Sequence, residues 1–455
     1  MTRATDIGVI LALAAALAAP GLAHAQGRTP PAPAATAAPA DAPVRYLVKP
    51  GDTLIGLSSR YLVKVGDYRT LQSLNKVPEP RHLRPGSTLT IPYPLLKTEV
   101  IAAQLGAYSG AVTITRAGRA VAATRGLALA EGDQIATGPN AFATLDLPDE
   151  SRVSLPSNST LKIARLRQVL LTGGLRRDFE LTLGKGTASV SPLPTPDSQF
   201  LIRTPLSVAA VRGTEYRVAF DPARASAAAE VIKGVVGLAP TAGPPAETPV
   251  PAGFGARASA AGVAPPKPLL PAPTLVRGGR TQEDPQVAFA VEPVAGAGAY
   301  HLQLANDAGF VDVFTETVVP APAASFAGVP DGTFFVRATA IDADGLEGLP
   351  RDYGFERDLN TLDAGAPAQD KTGKIRRFKF RWSAAGSGQR LYELQLFRGA
   401  ETTPLVDVPG LTEPELSVTD LPPGAYHWRV VATRFKPGQP PSVKAGALQD
   451  LQIGE

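Results

Sequence analysis

Val329-Pro330-Asp331-Gly332-Thr333-Phe334-Phe335-Val336-Arg337-Ala338-Thr339-Ala340 reads as a turn running into a strand. Proline and glycine two positions apart reverse the chain, and the residues that follow alternate between apolar and polar. The pattern recurs as Leu421-Pro422-Pro423-Gly424-Ala425-Tyr426-His427-Trp428-Arg429-Val430-Val431-Ala432. Upstream, Phe289-Ala290-Val291 and Tyr300-His301-Leu302-Gln303-Leu304 correspond to Phe380-Arg381-Trp382 and Tyr392-Glu393-Leu394-Gln395-Leu396. Residues 287–349 and 377–441 are therefore two copies of one β unit, sharing Tyr-x-Leu-Gln-Leu and Pro-x-Gly-x-[Phe/Tyr]-x-x-Arg at similar spacing.

The two copies resemble fibronectin type III or Ig-like sandwiches, which implies that Trp382 and the paired Tyr/Phe rings are buried between two sheets. His301 and His427 fall on strands, where a lone histidine is expected to be structural. Asp342-Ala343-Asp344-Gly345 lacks the remainder and the closing Glu of a calcium loop, so it is expected to be a turn.

Toward the N-terminus, short alternating segments such as Ala141 to Leu147, Arg152 to Leu155, Phe179 to Leu183 and Glu215 to Phe220 are separated by Gly, Pro and Asp turns. This pattern predicts an all-β domain over 100–238. Thr204-Pro205, then Val211-Arg212-Gly213-Thr214-Glu215-Tyr216, resembles the FecR signature. So do Gly132-Asp133-Gln134-Ile135-x-Thr137-Gly138, Leu147-Pro148-Asp149-Glu150-Ser151 and Glu230-Val231-x-Lys233-Gly234-Val235-Val236, with Glu150 standing where that family usually has glycine. The resemblance implies extracytoplasmic protein contact. The sigma-factor regulation of well-known members works through an N-terminal cytoplasmic segment, whereas here a signal segment and another module come first, so it is not implied. Arg212-Gly213-Thr214 is expected to be a turn between strands. Gly184-Lys185-Gly186-Thr187 lacks the phosphate-loop form and is expected to be a hairpin turn.

Further upstream, Tyr46-Leu47-Val48 is a short strand, and Pro50-Gly51 turns the chain into a helix that Asp52 or Thr53 can cap and that runs to about Tyr61. A second helix from about Asp67 places Tyr68, Leu71 and Leu74 on one face and ends at Asn75, and Ser87 to Pro92 forms a second strand. The motifs Tyr46-x-Val48-x-x-Gly51-Asp52-Thr53-Leu54, Leu71-x-x-Leu74-Asn75 and Leu83-x-Pro85-Gly86-x-x-Leu89-x-Ile91-Pro92 resemble the LysM domain. The resemblance implies binding of N-acetylglucosamine polymers, peptidoglycan or chitin, between two loops. The glycan-binding residues it implies are Gly51, Asp52, Thr53 and Leu54 on one side and Asn75, Lys76, Val77 and Pro78 on the other. Residues 44–98 carry nine Lys/Arg against three Asp/Glu, and residues 275–455 carry 17 against 23, so a basic front precedes an acidic tail. The basic module suits the carboxylates of peptidoglycan, and no basic face with interleaved aromatics points to nucleic acid.

Residues 1–25, with Arg3, an apolar run from Ile7 to Ala19 and Ala23-His24-Ala25, read as a signal peptide cleaved before Gln26, against the alternative of an uncleaved anchor. Such cleavage predicts a periplasmic or secreted protein with no stable membrane span. The Pro/Ala tract 26–43 and the Pro-rich stretch 239–274 are expected to be linkers, in a chain where 45 prolines and 44 glycines make up about a fifth of 455 residues. No cysteine is present and methionine occurs only at Met1, which excludes disulfides, thiolate metal sites and a Cys nucleophile.

The expected fold is multidomain and mainly β. It comprises a small βααβ LysM module over 44–95, a FecR-like β domain over 100–238 and β-sandwich-like repeats over 275–360 and 371–455. The expected function is non-enzymatic binding of peptidoglycan, with the other domains presented to an envelope protein partner and with no cofactor, metal or catalytic residue. The alternatives are a LysM-targeted peptidoglycan hydrolase and a signalling component related to FecR regulators.

Overall fold

The computed structural model describes residues 41–191, 195–211, 213–242, 246–277, 280–372 and 375–454. The signal segment, the cleavage point at Gln26, most of the 26–43 tract and Arg212 lie outside the described residues.

The first module is the expected strand, helix, helix, strand. Val44–Leu47 pairs antiparallel with Thr88–Ile91, and the helices are Leu54–Tyr61 and Tyr68–Leu74. Thr53 caps the first helix by accepting from the Gly56 N–H at 2.9 Å. Alternation along the first strand sends Val44 and Tyr46 inward onto Leu54, Leu57, Leu71, Leu89 and Ile91. Leu74 departs from expectation and is 51% exposed. At 3.6 residues per turn, six residues carry it about 120° away from Tyr68, off the buried face. The second helix ends in a Schellman arrangement, with Val77 N–H donating to the Gln72 carbonyl, Lys76 N–H to that of Ser73, and Lys76 in the left-handed region at φ 51°.

No linker separates this module from the next. Val169 and Leu171 of the middle domain share its core, and the Tyr93 ring lies 5.0 Å from each of the Arg165 and Arg176 guanidinium carbons.

The middle domain is a closed barrel of short strands between Thr98 and Pro268. Its longest strand, Leu175–Ser189, pairs with Thr160–Val169 along its first half and with Glu215–Asp221 along its second. The switch occurs at Gly184, whose φ of +76° and closeness to the Asn158 carbonyl, 2.5 Å from where a Cβ would sit, leave room only for glycine. The segment 184–187 is therefore a barrel corner within one strand and not the expected hairpin turn. A second correction concerns 239–274. Thr248–Pro251, Phe254–Ser259, Gly262–Val263 and Lys267–Pro268 are strands that complete the barrel, with Val250 fully buried. Proline here occupies positions on short peripheral strands, where the missing N–H is tolerated, so its density marked a sheet margin and not a tether.

Each C-terminal repeat is a pair of facing sheets. In the first, Leu275–Arg277, Val287–Val291 and Ala323–Phe326 oppose a five-stranded sheet ordered Thr281–Gln282, Arg351–Arg357, Gly332–Asp342, Ala297–Ala305 and Val313–Val319. In the second, Thr361–Thr372, Ile375–Ala385 and Glu415–Thr419 oppose Val406–Leu411, Gln389–Arg398, Gly424–Phe435, Ser442–Ala445 and Gln449–Ile453. The rings pack as expected: Phe289 edge-on to Phe355, Phe380 edge-on to Trp428, and Trp382 buried against Tyr392. The second repeat begins with the strand at Thr361, ten residues before the expected boundary at 371. That edge strand, Thr-Leu-Asp-Ala-Gly-Ala-Pro-Ala-Gln-Asp-Lys-Thr, carries too little apolar alternation to stand out in sequence.

Candidate functional site

The two loops implied by the LysM resemblance meet. Leu54 N–H donates to the Pro80 carbonyl at 2.9 Å, joining the loop after the first strand to the loop after the second helix. Gly51 makes the turn at φ +88°, with open space where a side chain would be. The Asp52 carboxylate accepts from the Tyr46 hydroxyl at 2.7 Å and from Lys49 N–H at 2.8 Å. Burial and that hydrogen bond push the Tyr46 hydroxyl up to about 12. Asn75 pins the second loop to the second strand, donating to the Leu71 and Thr90 carbonyls at 2.9 Å and accepting from Thr90 N–H at 2.7 Å.

The eight implied residues thus divide. Gly51, Lys76 and Pro78 are exposed around the junction, and Val77 is half-buried beside them. Asp52, Thr53 and Asn75 spend side-chain polar atoms on holding the loops. Leu54 is fully buried in the module's core, because as the first helical residue it faces inward, and so it presents no surface to a ligand. The junction thus leaves main chain, parts of Val77 and Pro78 and the Lys76 ammonium at the surface.

In the barrel, the FecR-like residues form buried structure. Asp149 is ion-paired with Arg177, whose side chain is fully buried, and it also accepts from the Ser151 hydroxyl at 2.9 Å. Glu150 adopts φ +65°, the left-handed conformation that glycine supplies without strain, which accounts for glycine being usual there. Tyr216 is buried, which raises its hydroxyl pKa. Asp149 and Glu150 therefore do not converge as an acid/base pair. Asp342 and Asp344 form the expected turn, and both pair with Lys267. Among the described residues no cluster of His, Asp and Glu could hold a metal ion.

The most elaborate polar site lies where the barrel meets the first repeat, and sequence reading missed it. His301 is buried and bridges two carboxylates, with Nδ1 3.0 Å from Glu347 Oε1 and Nε2 2.9 Å from Glu316 Oε2. Glu347 also takes the Lys185 ammonium at 2.6 Å and the Thr339 hydroxyl at 2.7 Å, and its N–H donates to Glu230 at 2.9 Å. Arg217 pairs with Glu230 at 2.7 Å and donates to the Glu347 and Gly348 carbonyls. Ser157 N–H donates to Glu316 at 3.1 Å. Lys185, Arg217, Glu230 and Ser157 belong to the barrel, and His301, Glu316, Thr339 and Glu347 to the repeat.

Burial alone would lower the His301 pKa, but Glu347 and Glu316 outweigh it and push the imidazole up to about 9. Burial would raise Glu316, but the hydrogen bond and charge of His301 hold it at about 2. Lys185, His301 and Arg217 likewise keep buried Glu347 well below the usual carboxylate range. The seam therefore sets three cations against three carboxylates, and beside it Phe142 of the barrel packs on Ala305, Phe310 and Val313. The only sequence sign was a polar residue at each position. The contacts that join barrel to repeat link residues 117 to 162 positions apart, beyond any local pattern.

The LysM domain model matches residues 46–92, and the FecR protein model matches residues 133–237. The chain is thus a multidomain, mainly β protein in which a LysM domain is followed by a FecR domain. No curated protein matches it. Among solved structures, an anti-sigma-factor candidate from Parabacteroides distasonis is similar at 16% identity and a TM-score of 0.24, over 30% of this chain and 59% of that one. This chain therefore spans about three fifths of that structure's length. A two-domain fibronectin type III segment of chicken tenascin is similar at 14% identity and TM-score 0.21, over 40% of this chain and 99% of that one. Fibronectin(III)-like modules of Clostridium thermocellum CbhA are similar at 12% identity and TM-score 0.19, over 40% of this chain and 92% of that one. Among the described residues no helix is long and apolar enough to cross a membrane.

Proposed function

We propose that this is a non-enzymatic cell-envelope protein, exported by cleavage before Gln26, that binds peptidoglycan through its LysM loops and presents the FecR domain and the sandwich repeats to another envelope protein. The observation that carries the reading is the closure of the Gly51–Leu54 loop on the loop after the second helix through Leu54 N–H and the Pro80 carbonyl. This closure leaves Gly51, Lys76 and Pro78 exposed around one junction, where main-chain groups can hold an acetamido group and Val77 its methyl. Charge supports the choice of an anionic wall polymer. None of the nine Lys/Arg of residues 44–98 is ion-paired among the described residues, although most barrel cations are, as with Arg116, Arg167 and Arg203. Unpaired surface cations attract a polyanion at long range, and salt screens that attraction.

The test is co-sedimentation of the chain from residue 26 with purified sacculi, with and without soluble N-acetylglucosamine oligosaccharide. Binding should be displaced by the oligosaccharide and weakened by salt. Failure to pellet, or pelleting indifferent to the oligosaccharide, overturns the reading, and clearing of the sacculi overturns its non-enzymatic part.

A further inference from the structure

The face of the first repeat that sits on the barrel has a counterpart in the second repeat that carries exposed apolar side chains. The two sheets share a register: Leu302 opposes Ala338 and Gln303 opposes Arg337, as Leu394 opposes Val430 and Gln395 opposes Arg429. On the neighbouring strand Gln303 opposes Glu316, and Gln395 opposes Asp407. The barrel-facing residues His301, Phe335, Arg337, Thr339 and Glu316 therefore correspond, position by position, to Glu393, His427, Arg429, Val431 and Asp407.

In the second repeat this face is open. Leu391 is 39%, Phe435 38% and Val443 68% exposed, and alternation places all three on the same side as Glu393 and Arg429. Its charges are of both signs and lie on adjacent strands. Glu393 and Asp407 are in no ion pair among the described residues, and Arg429 donates to Gln395 at 2.8 Å. A FecR barrel cannot be the occupant, because its matching cations, Lys185 and Arg217, are already engaged by Glu347 and Glu230.

We infer that this face is a self-association surface, occupied by the same face of a second copy of the chain. A two-fold axis brings a surface against itself, so a face carrying the Glu393 carboxylate on one strand and the Arg429 guanidinium on the next can satisfy both at once. The exposed Leu391, Phe435 and Val443 side chains beside these charges supply the apolar burial that such a contact needs. The first repeat shows the same sheet face already used for sheet-to-barrel packing.

Sedimentation velocity over a range of concentrations tests this on the chain from residue 26. The expected result is a concentration-dependent dimer, weakened at least tenfold by Glu393→Arg and equally by Arg429→Glu. An equimolar mixture of these two variants should regain the association that each has lost. Val443→Glu, at a largely exposed position where no fold defect is expected, should abolish the dimer with the near-ultraviolet dichroism unchanged. A chain that stays monomeric at the highest concentration, or a dimer that Val443→Glu and Glu393→Arg leave intact, overturns the inference.

Discussion

The outward faces of the two sandwich repeats have one register and opposite surroundings. In the first, His301 lies between Glu316 and Glu347 and is sealed by Lys185 and Arg217 of the barrel. In the second, Glu393 takes the histidine's place, Val431 replaces Thr339, and among the described residues neither Glu393 nor Asp407 is ion-paired to another domain. The comparison teaches that the shared strand pattern builds the sandwich, whereas a few polar residues, with the turn that carries Glu347, decide what the sandwich is fastened to. Charge on the first face is buried and balanced, so it holds the two domains together. On the second it is accessible, so it can recognise a partner.

The largest effect should come from removing Glu347, which meets Lys185, His301 and Thr339 directly and whose main chain receives Arg217. Glu347→Ala leaves buried cations without their carboxylate, and breaking a buried pair from one side costs roughly 3–5 kcal/mol. Chemical denaturation should show the barrel and the first repeat losing stability, while Glu393→Ala at the corresponding register region of the second repeat shifts the midpoint by under about 0.5 kcal/mol. Equal effects at the two sites would remove the distinction between the faces.

Next in size is the pH dependence of the seam. His301 sits at about 9 in the folded chain against 6.5 when unfolded, so the folded state binds the proton more tightly. Its contribution is complete below about pH 6.5 and is lost as the pH rises through 9. A shift of that size corresponds to roughly 3 kcal/mol. Glu316, held at about 2 against 4.5, contributes in the opposite sense: its share is complete above about pH 4.5 and fades as the pH falls toward 2. Denaturation midpoints across pH 3 to 10 should therefore show a plateau between about 4.5 and 6.5 with a fall on each side. His301→Gln should flatten the alkaline limb up to about pH 9.

What the sequence made legible follows from how local each feature is. Alternation and Pro-x-Gly turns are written within a dozen residues, so the repeats and their buried rings Trp382 and Tyr426 could be read directly. So could the Thr53 cap, three residues from the N–H it accepts. The prolines of 239–274 misled because proline density signals both a tether and a sheet margin, and only pairing with Val235–Pro240 and Phe254–Ser259 separates the two. Lys185 read as part of a turn because the Gly184 bend is visible in sequence, whereas the strand that continues through it is a matter of pairing with Glu215–Asp221. Within the LysM loops the residue types were legible but not their roles: Leu54 reads as a surface apolar residue after a turn, yet the cap directs it into the core. His301 could be read as a structural strand residue but not as the centre of a seam, since that depends on Lys185 and Arg217, more than eighty residues away.

The smallest expected effect is also the sharpest test of what distinguishes the faces. Glu393→His writes the first repeat's residue into the second. If the histidine alone made the seam, the substitution would create a strongly basic imidazole there too. Among the described residues, however, the second repeat offers Asp407 in the place of Glu316 and no counterpart of Glu347, Lys185 or Arg217, so the new ring stays solvated beside a single carboxylate. Exposed charge pairs of this kind are worth well under about 1 kcal/mol. Stability should therefore move by no more than about 0.5 kcal/mol at any pH, and the new histidine should titrate near 6.5 by NMR. A titration near that of His301 would place the origin of the seam in the sheet's own geometry. A titration near 6.5 places it in the barrel's cations and in the Glu347 turn, residues that belong to the neighbouring domain and to one loop.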